Sequence, residues 1–226
     1  VDQLFGKNVD LIVGANSSVI FNGTNYFGDS TRIILEGGST LYGSGELNGS
    51  TGLWKGIKAR SGSFVNLTNA TIRNANYALS SIGAELNITE TTIEDCNYAI
   101  NLFNNSILNF VSSTVEVNDD NIGIFALSST GEINISGSEE LPSRIYGAGS
   151  GTGILFVSVE YELAIEHTDF ENLEIGLSLT ECNYPNITIS KCDFYNNQLG
   201  IEKILSNAYI DNCNFTADAS LNRVGV

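Results

Sequence analysis

Residues 65–79, VNLTNATIRNANYAL, carry a pattern that recurs to the end of the chain. Two apolar residues flank one polar residue, a third apolar residue follows seven places after the first, and a small residue then precedes an aliphatic one. Val65, Leu67, Ile72, Ala78 and Leu79 fill this frame, and Leu86, Ile88, Ile93, Ala99 and Ile100 fill it again. Leu108, Phe110, Val115, Gly123 and Ile124 come next. Ile133, Ile135, Ile145, Gly153 and Ile154 follow, with five residues inserted. Three further copies start at Leu163, Ile187 and Ala208, the last closing on Gly225 and Val226. The third anchors (72, 93, 115, 145, 170, 194, 215) are 21, 22, 30, 25, 24 and 21 residues apart.

A period of 20–30 residues is the signature of a solenoid. Within each unit, short alternating runs of β-branched and aromatic residues are separated by Asn, Gly, Ser and Asp, which reads as strands and turns. No stretch sustains a 3.6-residue apolar period. The predicted fold is therefore all-β: a parallel β-helix of about nine coils, each 21–30 residues long with three short strands. Stacked about 4.8 Å apart, such coils turn equivalent residues into internal columns, among them Ile72, Ile93, Val115, Ile145, Phe170, Phe194 and Phe215. Residues 1–57 read as entry coils and 58–226 as regular coils of the same domain. The glycine-rich stretch 37–51 reads as a turn-rich start. Lacking methionine and ending in register with earlier Gly-aliphatic pairs, the chain reads as a segment of a longer protein, with further coils as its neighbours.

The runs Thr71–Leu79 and Thr92–Ile100 resemble the repeats of right-handed parallel β-helix (pectin-lyase-like) proteins, which place Asn at a tight turn after the second strand. Asn74, Asp95, Asn172 and Asn196 hold that place here, where a left-handed backbone suits Asn and Asp. Trp54-Lys55-Gly56-Ile57 is similar to an early-coil motif of large secreted bacterial β-helix proteins. The resemblance implies a right-handed coil and an extracellular or bacterial cell-surface location. It specifies a fold and not an activity.

With 26 acidic against 10 basic residues, the net charge is −16. Nucleic acid is thereby disfavoured, since phosphate binding needs basic patches, and so are anionic membranes. No apolar run reaches membrane-spanning length. The four cysteines lack a metal-ligand spacing. Cys192 and Cys213 share an inward column with Ala70, Thr91, Ser113, Ser143 and Thr168. Side chains in register point alike, so buried thiols are expected there, with a disulfide as the alternative. Asn66, Asn87, Asn109 and Asn134 form an outward column suited to an amide ladder. Phe125 and Leu155 form an outward apolar pair, either an interface or, the expectation adopted, a surface covered by the inserted segment 136–144.

Two places hold convergent polar groups. Asn118-Asp119-Asp120-Asn121 is similar to the Asp-Asp segment of polygalacturonases. The Gly-His-Gly and Arg-x-Lys that accompany it in that family are absent, and a longer acidic turn is expected. In the second, alternation buries Thr168 and Phe170 and turns His167, Asp169 and Glu171 outward. Lys191, Asp193 and Tyr195 fall one coil below. His167, Asp169, Glu171 and Asp193 are the candidate catalytic residues, and Asp169 and Asp193 the candidate ligands of a metal. Pectate lyases bind calcium with carboxylates on neighbouring coils, which makes calcium the possible ion, but their arginine base has no counterpart here. The expected function is a non-catalytic stalk or adhesive surface contacting polysaccharide or another surface protein. A polysaccharide lyase or glycoside hydrolase is the alternative.

Overall fold

The outward and inward residues of each repeat separate onto the two sides of parallel strands that wind into a β-solenoid of about nine turns, with no helix among the described residues. The computed structural model describes residues 3–183 and 187–217; the Gly225-Val226 pair of the seventh copy lies outside them. Among the described residues the third strands of the coils join into a nine-stranded parallel sheet. The first and second strands form a 17-stranded sheet that bends around the rest of the coil.

The anchor columns form as the period dictates. Ile72, Ile93, Val115, Ile145, Phe170, Phe194 and Phe215 pair in one register. In the nine-stranded sheet Leu79, Ile100, Ile124, Ile154, Leu177 and Ile201 do the same. The buried residues make one continuous cluster along the coil axis. The rings of Phe170, Phe194 and Phe215 stack at 4.6 and 4.8 Å. Near the start of the chain, Trp54 is fully buried, lies 4.3 Å from Phe27, and donates from Nε1 to the Arg73 carbonyl.

The turn asparagines adopt the expected conformation: Asn74, Asp95, Asn172 and Asn196 have φ of 53°, 54°, 53° and 53°. The amide ladder forms across its first three members, Asn87 Nδ2 donating to Asn66 Oδ1 and Asn109 Nδ2 to Asn87 Oδ1, while Asn134 follows in register. Inside, the column of small residues satisfies backbone groups. Thr91 N donates to Ser113 Oγ at 3.0 Å, and Ser113 N to Ser143 Oγ at 3.3 Å. All four cysteines are free, and burial pushes the Cys96 thiol up to about 12.

The structure corrects two expectations. The glycine-rich stretch is no run of turns: Thr40–Gly49 is a ten-residue strand pairing with Ser18–Phe27. Its glycines permit close backbone approach, since a Cβ on Gly45 would lie 2.2 Å from the Gly23 carbonyl oxygen. The inserted segment also does not cover Phe125 and Leu155. It lies on the other sheet, where Gly137 N donates to the Glu166 carbonyl and Ser112 Oγ to the Leu141 carbonyl. The insertion falls between the first and second strands of its coil, so the corner it extends faces away from the nine-stranded sheet.

Candidate functional site

The corner between first and second strands is occupied by Asn69, Glu90, Ser112, His167, Lys191 and Asn212, all with φ between 46° and 51°, and by the insertion in the one coil between Ser112 and His167. Left-handed backbone costs a residue with a Cβ roughly 1–2 kcal/mol. The conformation persists because the corner amides from Asn69 to Lys191 are tied to the next coil, as His167 N is to the Ser190 carbonyl and Lys191 N to that of Asp211. His167 therefore sits on a turn and not, as alternation suggested, on the strand face. Thr168 and Phe170 are buried as expected.

This corner, the inserted segment and the second strands enclose a groove of about 730 Å³ lined by Gly137, Ser138, Glu139, Pro142, Glu166, His167, Asp169, Lys191, Asp193, Asn212 and Asn214. It continues past Asp169 and Asp193 into a second hollow of about 620 Å³ bounded by Glu171, Tyr195 and Thr216. The insertion forms a wall, held by Ser138 N bonding the Leu141 carbonyl and by Leu141 N bonding Ser138 Oγ.

The charges sort into pairs that the strand pattern alone did not show. Lys191 Nζ binds Glu166 Oε1 at 2.7 Å and holds that carboxyl below its usual range; it does not bridge the two aspartates. Glu171 takes a bidentate pair from Arg144, at 2.9 Å from Nε and 2.6 Å from Nη2, and the guanidinium lies over the Tyr146 ring. His167 Nε2 is 3.8 Å from Glu166 Oε1, its side chain 23% exposed. Asp193 accepts from Asn214 Nδ2 at 2.7 Å. Asp169, paired in register with Asp193, has no hydrogen bond or ion pair among the described residues. Burial first, then the charges of Asp193 and Glu171, raise its pKa against the opposing pull of Arg144.

The structure thus brings together His167, Asp169 and Asp193, while Arg144 draws the Glu171 carboxylate aside. Glu166 and the 137–142 wall were missed from sequence, whereas the repeat frame itself places Arg144 and Asn214 in one outward column with Asp169 and Asp193. Arg144 pairs in register with Asp169, and Glu171 is the diagonal neighbour within its reach, a signal that could have been read. Among the described residues, no group of three or more His, Cys, Asp or Glu side chains is arranged to hold a metal ion.

The Asn118–Asn121 segment is a turn, with Asp120 at φ 58°. Asp119 accepts from Ser150 Oγ and Asn118 Nδ2 donates to the Cys96 carbonyl, so two of its polar side chains are engaged in holding it. No protein-family model, no curated protein and no solved structure matches this chain.

Proposed function

We propose that this chain is a non-catalytic, extracellular β-helix segment of a large bacterial surface or secreted protein. In this reading it serves as a rigid stalk whose walled groove contacts glycans. The observation that carries the reading is Asp169, half buried at the centre of the groove with its carboxylate unpaired, between the Asp193–Asn214 pair and the His167 corner. Carboxylates and carboxamides on a rigid sheet match the hydroxyl pattern of a sugar. The strongly acidic surface favours neutral over acidic sugars.

The test is calorimetric titration with neutral gluco- and manno-oligosaccharides, using the wild type and the Asp169→Asn, Asp193→Asn double variant. Saturable binding that weakens at least about tenfold in the variant supports the groove. Binding unchanged by the double substitution removes it from the account. Added calcium, read as a shift in melting temperature, separates a cation site from direct sugar contact.

One observation favours a second reading, the polysaccharide lyase or hydrolase. Two carboxyls in register on neighbouring coils, one of them with its pKa raised by burial, are the groups from which such a site draws its acid and base. New unsaturated or reducing ends, lost on Asp169→Asn, would establish it.

A further inference from the structure

On the nine-stranded sheet the outward residues of five consecutive strands are uncharged, in a chain of net charge −16. These strands are Tyr77–Ile82, Tyr98–Phe103, Ile122–Leu127, Thr152–Val157 and Ile175–Thr180. Three outward columns run across them. Tyr77 and Tyr98 stack at 4.9 Å and lead towards Ile122 and Ile175. Ile82, Phe103, Leu127 and Val157 make an apolar row in register. Between these two columns lie Phe125 and Leu155, with Phe125 6.0 Å from the Phe103 ring. Tyr77 and Leu127 are 39% and 38% exposed. Asn101, at an outward position in register with Phe125, is only 5% exposed, and its carboxamide oxygen has no hydrogen-bond partner among the described residues. A flat apolar face with a polar atom withdrawn from water resembles the centre of an interface.

The central column reads Lys58, Ser80, Asn101, Phe125, Leu155, Ser178, Glu202 in continuous register. Beyond Lys58 the column continues through Ile34 and Ile12; its two charged members, Lys58 and Glu202, are of opposite sign and lie three strands to either side of Phe125. Lys58 has no ion pair among the described residues, and Glu202 accepts from Ser178 Oγ at 2.8 Å. We propose that a second copy of this chain docks on this face. The two copies are related by a two-fold axis lying in the interface along the Ile122–Leu127 strand. That operation reverses the column, opposing Phe125 to Phe125 and Lys58 of each copy to Glu202 of the other. Such an isologous contact is self-complementary, and it joins two strongly acidic molecules through a surface where like charges do not meet. Five strands about 4.8 Å apart and six residues long give a flat face of roughly 400–500 Å² per copy. That is small beside a standard interface, so the dimer should be weak, with Kd on the order of 10–100 µM.

Sedimentation equilibrium between about 5 and 500 µM, with thermal melts as the folding control, tests this. The wild type should dimerise and Phe125→Asp should weaken the dimer at least about thirtyfold, two carboxylates then meeting at the axis. Leu127→Glu provides the same reading if Phe125→Asp fails to fold. Lys58→Glu and Glu202→Lys should each weaken association about three- to tenfold, and the two together should restore it. A chain that stays monomeric across this range, a dimer indifferent to Phe125→Asp and Leu127→Glu, or a double swap that fails to restore association would each overturn the proposal.

Discussion

Ile124 and Phe125 are neighbours in one strand, and Phe170 and Glu171 are neighbours in another. The first residue of each pair is fully buried in the same continuous core. The second residues belong to opposite kinds of surface. Around Phe125 the outward residues of the five strands are aromatic, aliphatic, amide or hydroxyl, none of them charged. Around Glu171 the outward columns carry Arg144, Asp169, Glu166, Lys191 and Asp193, engaged in pairs except at Asp169. The coil repeats its inward residues because each must fill the space above the last, and a gap or a misplaced charge is felt along the stack. Outward residues meet only solvent and their immediate neighbours, so they vary from coil to coil. In this molecule stability is written in the inward columns, and the outward ones are free to differ.

The sharpest way to break that division is to place one charge on either side of a strand. Ile124→Asp buries a carboxylate with no partner between Ile100 and Ile154 and should leave the chain unfolded or lacking native sheet at room temperature. Phe125→Asp, one residue on, should change stability by no more than about 1 kcal/mol. Circular dichroism with urea titration reads both. Similar losses from the two variants would mean that the outer apolar face is structural.

Phe194→Ala tests the core beneath the charged face. The ring stacks between Phe170 and Phe215, so truncation opens a gap in an internal column and should cost about 3–5 kcal/mol. A loss below about 1 kcal/mol in denaturant midpoints would show that the stack adds little to the column. A smaller effect is expected from the amide ladder. Asn87→Ala removes the acceptor for Asn109 and the donor to Asn66. Water can replace partners that are only half buried, which limits the loss to about 1 kcal/mol.

The inward chemistry was legible in the sequence because burial constrains it. The period fixed the anchor columns, and the turn positions of Asn74, Asp95, Asn172 and Asn196 followed from their tolerance of left-handed backbone. The outward chemistry was legible only in part. Alternation placed Asp169 and Asp193 on one face, but it could not say that Lys191 reaches Glu166 and not the aspartates. Long side chains choose among several neighbours by rotamer, and no periodicity encodes that choice. His167 was assigned to a strand because the coil corner consumes one residue that alternation does not count. The 136–144 insertion was sent to the wrong sheet for a related reason. Its length was visible, but its direction depends on which corner of the coil it extends.

The smallest effect expected is also the one with the clearest sign, and it concerns Asp169. Its pKa is raised in the folded protein by burial and by neighbouring carboxylates, so the folded state holds this proton more tightly than the unfolded chain does. Its contribution to stability is then fully present below the ordinary aspartate pKa and is lost as pH rises through the folded value. Asp169→Asn removes the charge while keeping the shape. It should therefore stabilise the protein at neutral pH, by less than about 1 kcal/mol because the group is partly solvated. The difference should vanish below the ordinary carboxylate pKa, where Asp169 is protonated in both states. Glu166 provides the opposite control. Lys191 lowers its pKa, so Glu166→Gln should destabilise slightly at neutral pH, and that difference should fade as the medium is acidified. Denaturant midpoints for the two variants across the acid range should therefore depart from the wild type in opposite directions at neutral pH and converge on it at low pH. If Asp169→Asn instead destabilised the protein at neutral pH, the carboxylate would have a partner in the groove, and its place as the unpaired centre of the charged face would be lost.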